Sequence, residues 1–317
     1  GQTAWGTRRA DPARAYDMLS GELIMNVYDT LIAMKGEVYW EFAPLLSTNV
    51  PAREAITKTV VSTDVNLLNP TGSNWSDGSR CVGWVDNHKT GDLDVSDALY
   101  FIEPDGSYRT WSVDAFSAGP PVNITVWRGR YVFHARTEPV ISFFNETGDV
   151  VDTFDVYDAE YSFERGLVQD QLGSPMWMYY KPLFDQMNGD SWDPTVTGDN
   201  ATAMILAHLI GDAIETSGND LIMNVGIKYP DAAFKQVLSE TWGSIVSKEF
   251  SISIGCWNGD LYTDSNGDGV PDWWTTVRGL LRSPYDATNA FRYVGTGPYR
   301  VALFDKLNNV VRLARNA

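Results

Sequence analysis

Residues 11–32 read DPARAYDMLSGELIMNVYDTLI. The Asp11-Pro12 pair disfavours helix at Asp11, so the stretch enters extended. It then carries one apolar stripe, Leu23, Ile24, Val27, Tyr28, Leu31 and Ile32, at helical spacing. Periodicity predicts a helix over about residues 20–34, with Ser20 or Asp17 as N-cap and Glu22 in the first turn. On the pattern alone this is a core helix of an α/β domain.

The chain around it has 317 residues, more than one ordinary domain and room for two. At 44% hydrophobic and 21% charged it can bury a substantial core. Its net charge of −17 argues against nucleic acid and anionic lipid, both of which need clustered Lys and Arg. Twelve Trp, 15 Tyr and 13 Phe are a heavy aromatic load, suited to a core or to an aromatic-lined cleft. Cys81 and Cys256 form no CxxC motif; a disulfide and two free thiols both remain open. Sequons at Asn74, Asn123, Asn145 and Asn200 fit an exported protein, and no run reaches transmembrane length.

Moving outward, Val38 to Phe42 reads as a short strand, broken by Pro44 and Pro51. Residues 71–98 are turn-rich. Residues 99–113 read as a hairpin about Pro104-Asp105-Gly106, and 122–136 as alternating strand through Ile124, Val126, Tyr131 and Phe133. Asp155 suits the N-cap of an amphipathic helix over 155–168, with Glu164 and Arg165 as packing or surface charges. Residues 169–194 are aromatic and loop-like. A helix follows over 201–214, with His208 as a packed core histidine. Residues 219–227 form a strand, and a helix after Tyr229-Pro230 carries Phe234, Val237 and Leu238.

Two acidic loops stand out. Asp86, Thr90, Asp94 and Asp97, with Gly91 and Leu93, follow a calcium-loop register, although His88 is the wrong donor for a hard cation. Asp264, Asn266 and Asp268 alternate, Gly269 permits a sharp turn, and the Val270 carbonyl and Asp272 complete a candidate structural calcium site. Thr275 stands where a full EF-hand has its bidentate Glu, so this is a truncated calcium loop or an ion-free acidic turn.

The run Gly295-Thr296-Gly297-Pro298-Tyr299 fixes a tight turn before strands over 299–303 and 310–313. It has neither the Lys nor the following helix of a phosphate-binding loop. Taken with DPARAYD and YDTLI at the start, Trp127-Arg128-Gly129, Val132-Phe133-His134, the Ser162-Phe163-Glu164-Arg165 helix end and Tyr229-Pro230, it resembles the extracellular solute-binding proteins of the peptide/nickel-binding family (family 5). These are the capture subunits of ABC importers. In that family a short turn follows the strand that here ends at His134; Ala135 to Asp152 is a longer passage.

The resemblance implies an α/β, type II periplasmic-binding-protein-like fold, of which this chain carries lobe one with the second lobe largely missing. Residues 1–46 and 251–317 would form a discontinuous cleft-bearing subdomain, and 47–250 an inserted α/β subdomain. It further implies a non-enzymatic monomer that captures peptides, nickel complexes or oligosaccharides for a membrane permease. Such a protein works outside the cytoplasm, anchored through a segment not in this chain. Trp40 and Trp257 are the substrate-binding candidates. The rival class is a secreted, calcium-stabilised polysaccharide hydrolase, which needs two carboxylates across a cleft. A calcium-dependent adhesion module would require an all-β chain.

Overall fold

The structure, a computed structural model, describes residues 9–36, 38–61, 74–75, 80–85, 98–102, 108–112, 116–118, 123–169, 174–184, 200–226, 229–278, 284–286, 292–305, 308 and 310–316. The first helix, α1 (Met18–Val27), starts where Asp17 Oδ1 accepts the Ser20 N–H at 3.0 Å. It ends earlier than periodicity predicted. Tyr28 is already extended, and Ile32 opens strand β1 (Ile32–Lys35), which pairs antiparallel with β2 (Val38–Pro44). Leu31 and Ile32 are buried as expected, but from a strand entry rather than a helix face.

The reason for the early stop lies far along the chain. The Gly297 N–H donates to the Val27 carbonyl at 2.8 Å, satisfying one of the acceptors a helix end leaves open. That approach requires glycine. A Cβ on Gly295 would stand 2.2 Å from the Val27 oxygen, and one on Gly297 would stand 2.6 Å from the Val27 carbonyl carbon. The Gly295–Tyr299 turn is thus a packing element for α1. It leads into β14 (Tyr299–Asp305), which pairs with β15 (Val310–Arg315).

The main sheet has nine strands among the described residues, in the order β12-β13-β9-β3-β4-β5-β6-β7, with β8 also on β9, all antiparallel. Its spine is β9 (Asn123–His134), paired with β3 (Glu54–Val61), β8 (Phe116–Ala118) and β13 (Asp220–Gly226). The expected alternation holds at Tyr131 and Phe133, both fully buried. The hairpin of β6 (Ala98–Ile102) and β7 (Tyr108–Ser112) is where the Pro-Asp-Gly sequence put it. The stretch expected to be turns holds two strands, β4 (Asn74–Trp75) and β5 (Arg80–Val85). The longer passage after His134 contains a hairpin of β10 (Ser142–Phe144) and β11 (Val150–Thr153), turned at Asn145 to Gly148.

On this sheet, edged by β12 (Ile214–Ser217), lie α2 (Val156–Gln169), α3 (Trp177–Phe184) and α4 (Asn200–Ala213). Asp155 caps α2, accepting the Tyr157 and Asp158 N–H groups. The α3 helix corrects the loop expected over 169–194; it forms despite Pro182 because Tyr179, Tyr180 and Leu183 bury there. Glu164 and Arg165 prove to be buried. Arg165 makes a two-pronged pair with Asp11, at 2.8 and 2.7 Å, with the side chains 1% and 0% exposed.

Residues 231–278 run through α5 (Asp231–Ser239), a short 3-10 turn (Thr241–Gly243), α6 (Lys248–Ser253) and α7 (Asp272–Thr276). Helix α5 packs on β1 and β2, and the Ile245 N–H donates to the Asp29 carbonyl. With Arg165–Asp11, these contacts join the two sides of the boundaries expected at 46/47 and 250/251. The buried apolar side chains of both parts form one cluster. Cys256 is a free thiol, its pKa pushed up to about 12 by burial. The Cys81 and His208 side chains lie outside the described residues.

Candidate functional site

The extended entry to α1, its first two turns and the Glu240–Trp242 segment enclose a groove of about 400 Å³. Its wall is apolar: Tyr16, Met18 and Met25 are 55%, 88% and 57% exposed, and the Trp242 ring lies 6.0 Å from Tyr16, tilted at 60°. Met18 and Met25 sit on the face of α1 opposite the buried Ile24 and Val27, so the helix puts one side into the core and the other into the groove. The 3-10 turn packs beside Gly21, where an added Cβ would make an ordinary contact with the Thr241 methyl at 3.6 Å. The turn is fixed from behind by the Thr30–Ser244 bridge and the Ile245–Asp29 bond.

The polar groups of the groove are one-sided in charge. Asp17, Glu22 and Glu240 line it, and among the described residues no Lys or Arg does. Asp17 is engaged as the α1 cap. The half-buried Glu240 carboxyl has no ion pair or side-chain hydrogen bond among the described residues, and burial raises its pKa. The indole N–H of Trp242 is buried and likewise unpartnered among them.

The sequence candidates lie elsewhere. Trp40 stands on β2, 61% exposed, and does not line the groove. Trp257 is 1% exposed and stacks on Tyr161, ring centres 5.7 Å apart; its N–H donates to the Asp260 carbonyl. It lines the wall of a second depression, of about 320 Å³, with Asp260, Thr263 and Asp272.

Hydrogen bonds link neighbouring residues of the later acidic loop, while the carboxylates of Asp264, Asp268 and Asp272 do not all converge within 4.8 Å. The Asp264 carboxylate accepts N–H groups of Gly267, Asp268 and Gly269 at 2.8, 3.2 and 2.7 Å, which holds its pKa below the usual carboxylate range. Gly267 and Gly269 have φ of +74° and +82°, the left-handed region that favours glycine. Asn266 Nδ2 donates to Asp268, and Ser265 donates to Asp272. The Val270 N–H binds Asp268 Oδ1. Oxygen donors of this type suit a hard cation. The Asp86–Asp97 loop lies outside the described residues.

A third cluster was not foreseen. Asp152, Asp158 and Glu249 bring carboxylate oxygens within 4.8 Å of one another where β11 meets the starts of α2 and α6. Asp158 is buried; its oxygens accept the Lys248 and Asp155 N–H groups at 2.7 and 2.9 Å. Burial pushes its pKa up to about 8. Asp152 accepts from the Ser247 hydroxyl, which in turn caps α6. These bonds tie three chain ends together.

No protein-family model and no curated protein matches the chain. Solved structures do. The pheromone receptor PrgZ, described with its mode of peptide binding, is 12% identical over 99% of this chain and 38% of that one, with a TM-score of 0.47. OppA from Burkholderia pseudomallei is 12% identical over 99% and 37%, TM-score 0.44. The periplasmic binding protein DppA from Helicobacter pylori, in complex with the peptide STSA, is 17% identical over 94% and 35%, TM-score 0.41. The chain spans little more than a third of the length of the structures it matches. The architecture is mixed helix and sheet.

Proposed function

We propose that this chain is the ligand-capturing first lobe of an extracellular solute-binding subunit of an ABC importer, and that its groove holds peptide. The observation that carries this reading is the groove itself. Exposed aromatic and thioether side chains on a rigid helix offer area to varied apolar side chains without chemistry. The order of the resembling motifs supports it too, because the first and last of them, DPARAYD-YDTLI and GTGPY, meet in one packed unit at the end of α1. Under this reading residues 1–46 with 251–317 form the cleft-bearing part and 47–250 the inserted part, which lends the groove Glu240, Thr241 and Trp242. Delivery to a membrane permease, by a monomer working outside the cytoplasm, completes it. No helix among the described residues is long and apolar enough to cross a membrane.

We infer a structural role for calcium in the Asp264–Asp272 loop, held by Asp264, Asn266, Asp268, the Val270 carbonyl and Asp272. The support is the run of short oxygen side chains at alternate positions on a loop shaped by glycine.

The test is a thermal-shift screen of the full chain against peptides, oligosaccharides and nickel complexes, since binding to the native state raises the midpoint. A rise with peptides recovered intact is expected. Tyr16→Ala and Met18→Ala should weaken that binding roughly tenfold, about 1.4 kcal/mol, while hardly moving the ligand-free midpoint. No rise with any solute, together with product released from a polysaccharide, would overturn the reading in favour of the hydrolase.

A further inference from the structure

The groove has a charge preference written into its lining, and this deepens the peptide-capture reading on which it rests. Three of its ten lining residues, Asp17, Glu22 and Glu240, are acidic, and none of the described lining residues is basic. Arg14, immediately before the wall, is turned away into a 3.3 Å ion pair with Asp286. Asp17 caps α1, and Glu22 lies on the exposed helix surface. Glu240 is the one of the three that is half-buried with no ion pair or side-chain hydrogen bond among the described residues.

We propose that the groove selects for positive charge: it takes an apolar peptide segment carrying an ammonium or guanidinium group, seated on the Glu240 carboxylate. A partly desolvated carboxylate without a counter-charge is an unfavourable arrangement that a bound cation relieves. Burial already raises the Glu240 pKa, as expected for an acid waiting on a partner. The Tyr16 and Trp242 rings beside it supply aromatic faces, which also attract cations. Met18 and Met25 reshape around the apolar part of the ligand.

The experiment measures affinities of the full chain for three end-blocked peptides, Lys-Leu-Leu-Lys, Gln-Leu-Leu-Gln and Glu-Leu-Leu-Glu, and for phenylbutylammonium, at low and high salt. The basic peptide should bind at least about tenfold tighter than the neutral one, and the acidic one weakest. Salt should narrow the gap. Glu240→Gln should abolish it by bringing the basic peptide down to the neutral one's affinity. Should Glu240→Gln lower the melting point, the salt dependence of the unaltered chain decides instead. Equal binding of the three peptides, or a gap that survives Glu240→Gln, overturns charge selection and leaves peptide capture standing. Binding of phenylbutylammonium but of no peptide overturns peptide capture and leaves charge selection standing. Binding of none of the four overturns both.

Discussion

Removing the Arg165 charge with Arg165→Leu would leave the Asp11 carboxylate fully buried without its two-pronged counter-charge, while the Ala13 N–H still donates to it at 3.0 Å. Removing Asp11 instead strands a guanidinium that is 1% exposed and cannot neutralise itself by losing a proton. Breaking one side of a buried pair costs about 3–5 kcal/mol, and the bidentate geometry places this pair at the upper end. Asp11→Leu should therefore cost more than Arg165→Leu, each lowering the melting point by roughly 5–15 °C. The double Leu variant, with no unpaired charge to hide, should recover several kcal/mol relative to the sum of the singles. Urea titration of the four proteins, followed by far-UV circular dichroism, measures all of these. Single variants within about 1 kcal/mol of the parent, or a double variant at the additive value, would refute the assignment of this pair as the anchor between the chain start and α2.

Gly295→Ala should destabilise by about 1–3 kcal/mol or more, because the new methyl meets the Val27 carbonyl; an unchanged urea midpoint would show that the turn does not close on α1 as described. Asp158, raised by burial to about 8, binds a proton more tightly in the folded chain than in the unfolded one. Its contribution is therefore full below pH ~4 and is lost as pH rises through 8, so stability should fall between these values, and Asp158→Asn should flatten that slope in urea titrations. Calcium should raise the melting point of the chelator-treated chain, and Asp264→Ala should remove the rise; an equal rise in the variant would move the ion to another place.

The start of α1 was legible because it rests on local chemistry: a proline that bars helix at Asp11 and an Asp17 side chain within reach of Ser20. Its end was not, because Leu31 and Ile32 continue the helical spacing while the chain has already turned at Tyr28. What stops the helix is Gly297, which no local pattern connects to Val27. The same limit hid the groove. Residue type points to Trp40 and Trp257, of which the first stands on a hairpin and does not line that groove and the second is buried. Met18 and Met25, two turns apart on the face opposite the apolar stripe, were the local signal available; Trp242 and Glu240 join them only through the tertiary path of the Thr241–Gly243 turn. The acidic loop was readable because all its residues fall within one short stretch, whereas the Asp11–Arg165 pair spans half the chain.

Helix α1 is held at both ends, by Asp11 on Arg165 before it begins and by Gly297 on Val27 where it finishes. The groove wall is therefore a beam fixed at two supports. A ligand laid along it need not order that wall, so little entropy is lost on its protein side. Encounter should then be fast and insensitive to which apolar side chains arrive, and discrimination between ligands should show in how long each one stays.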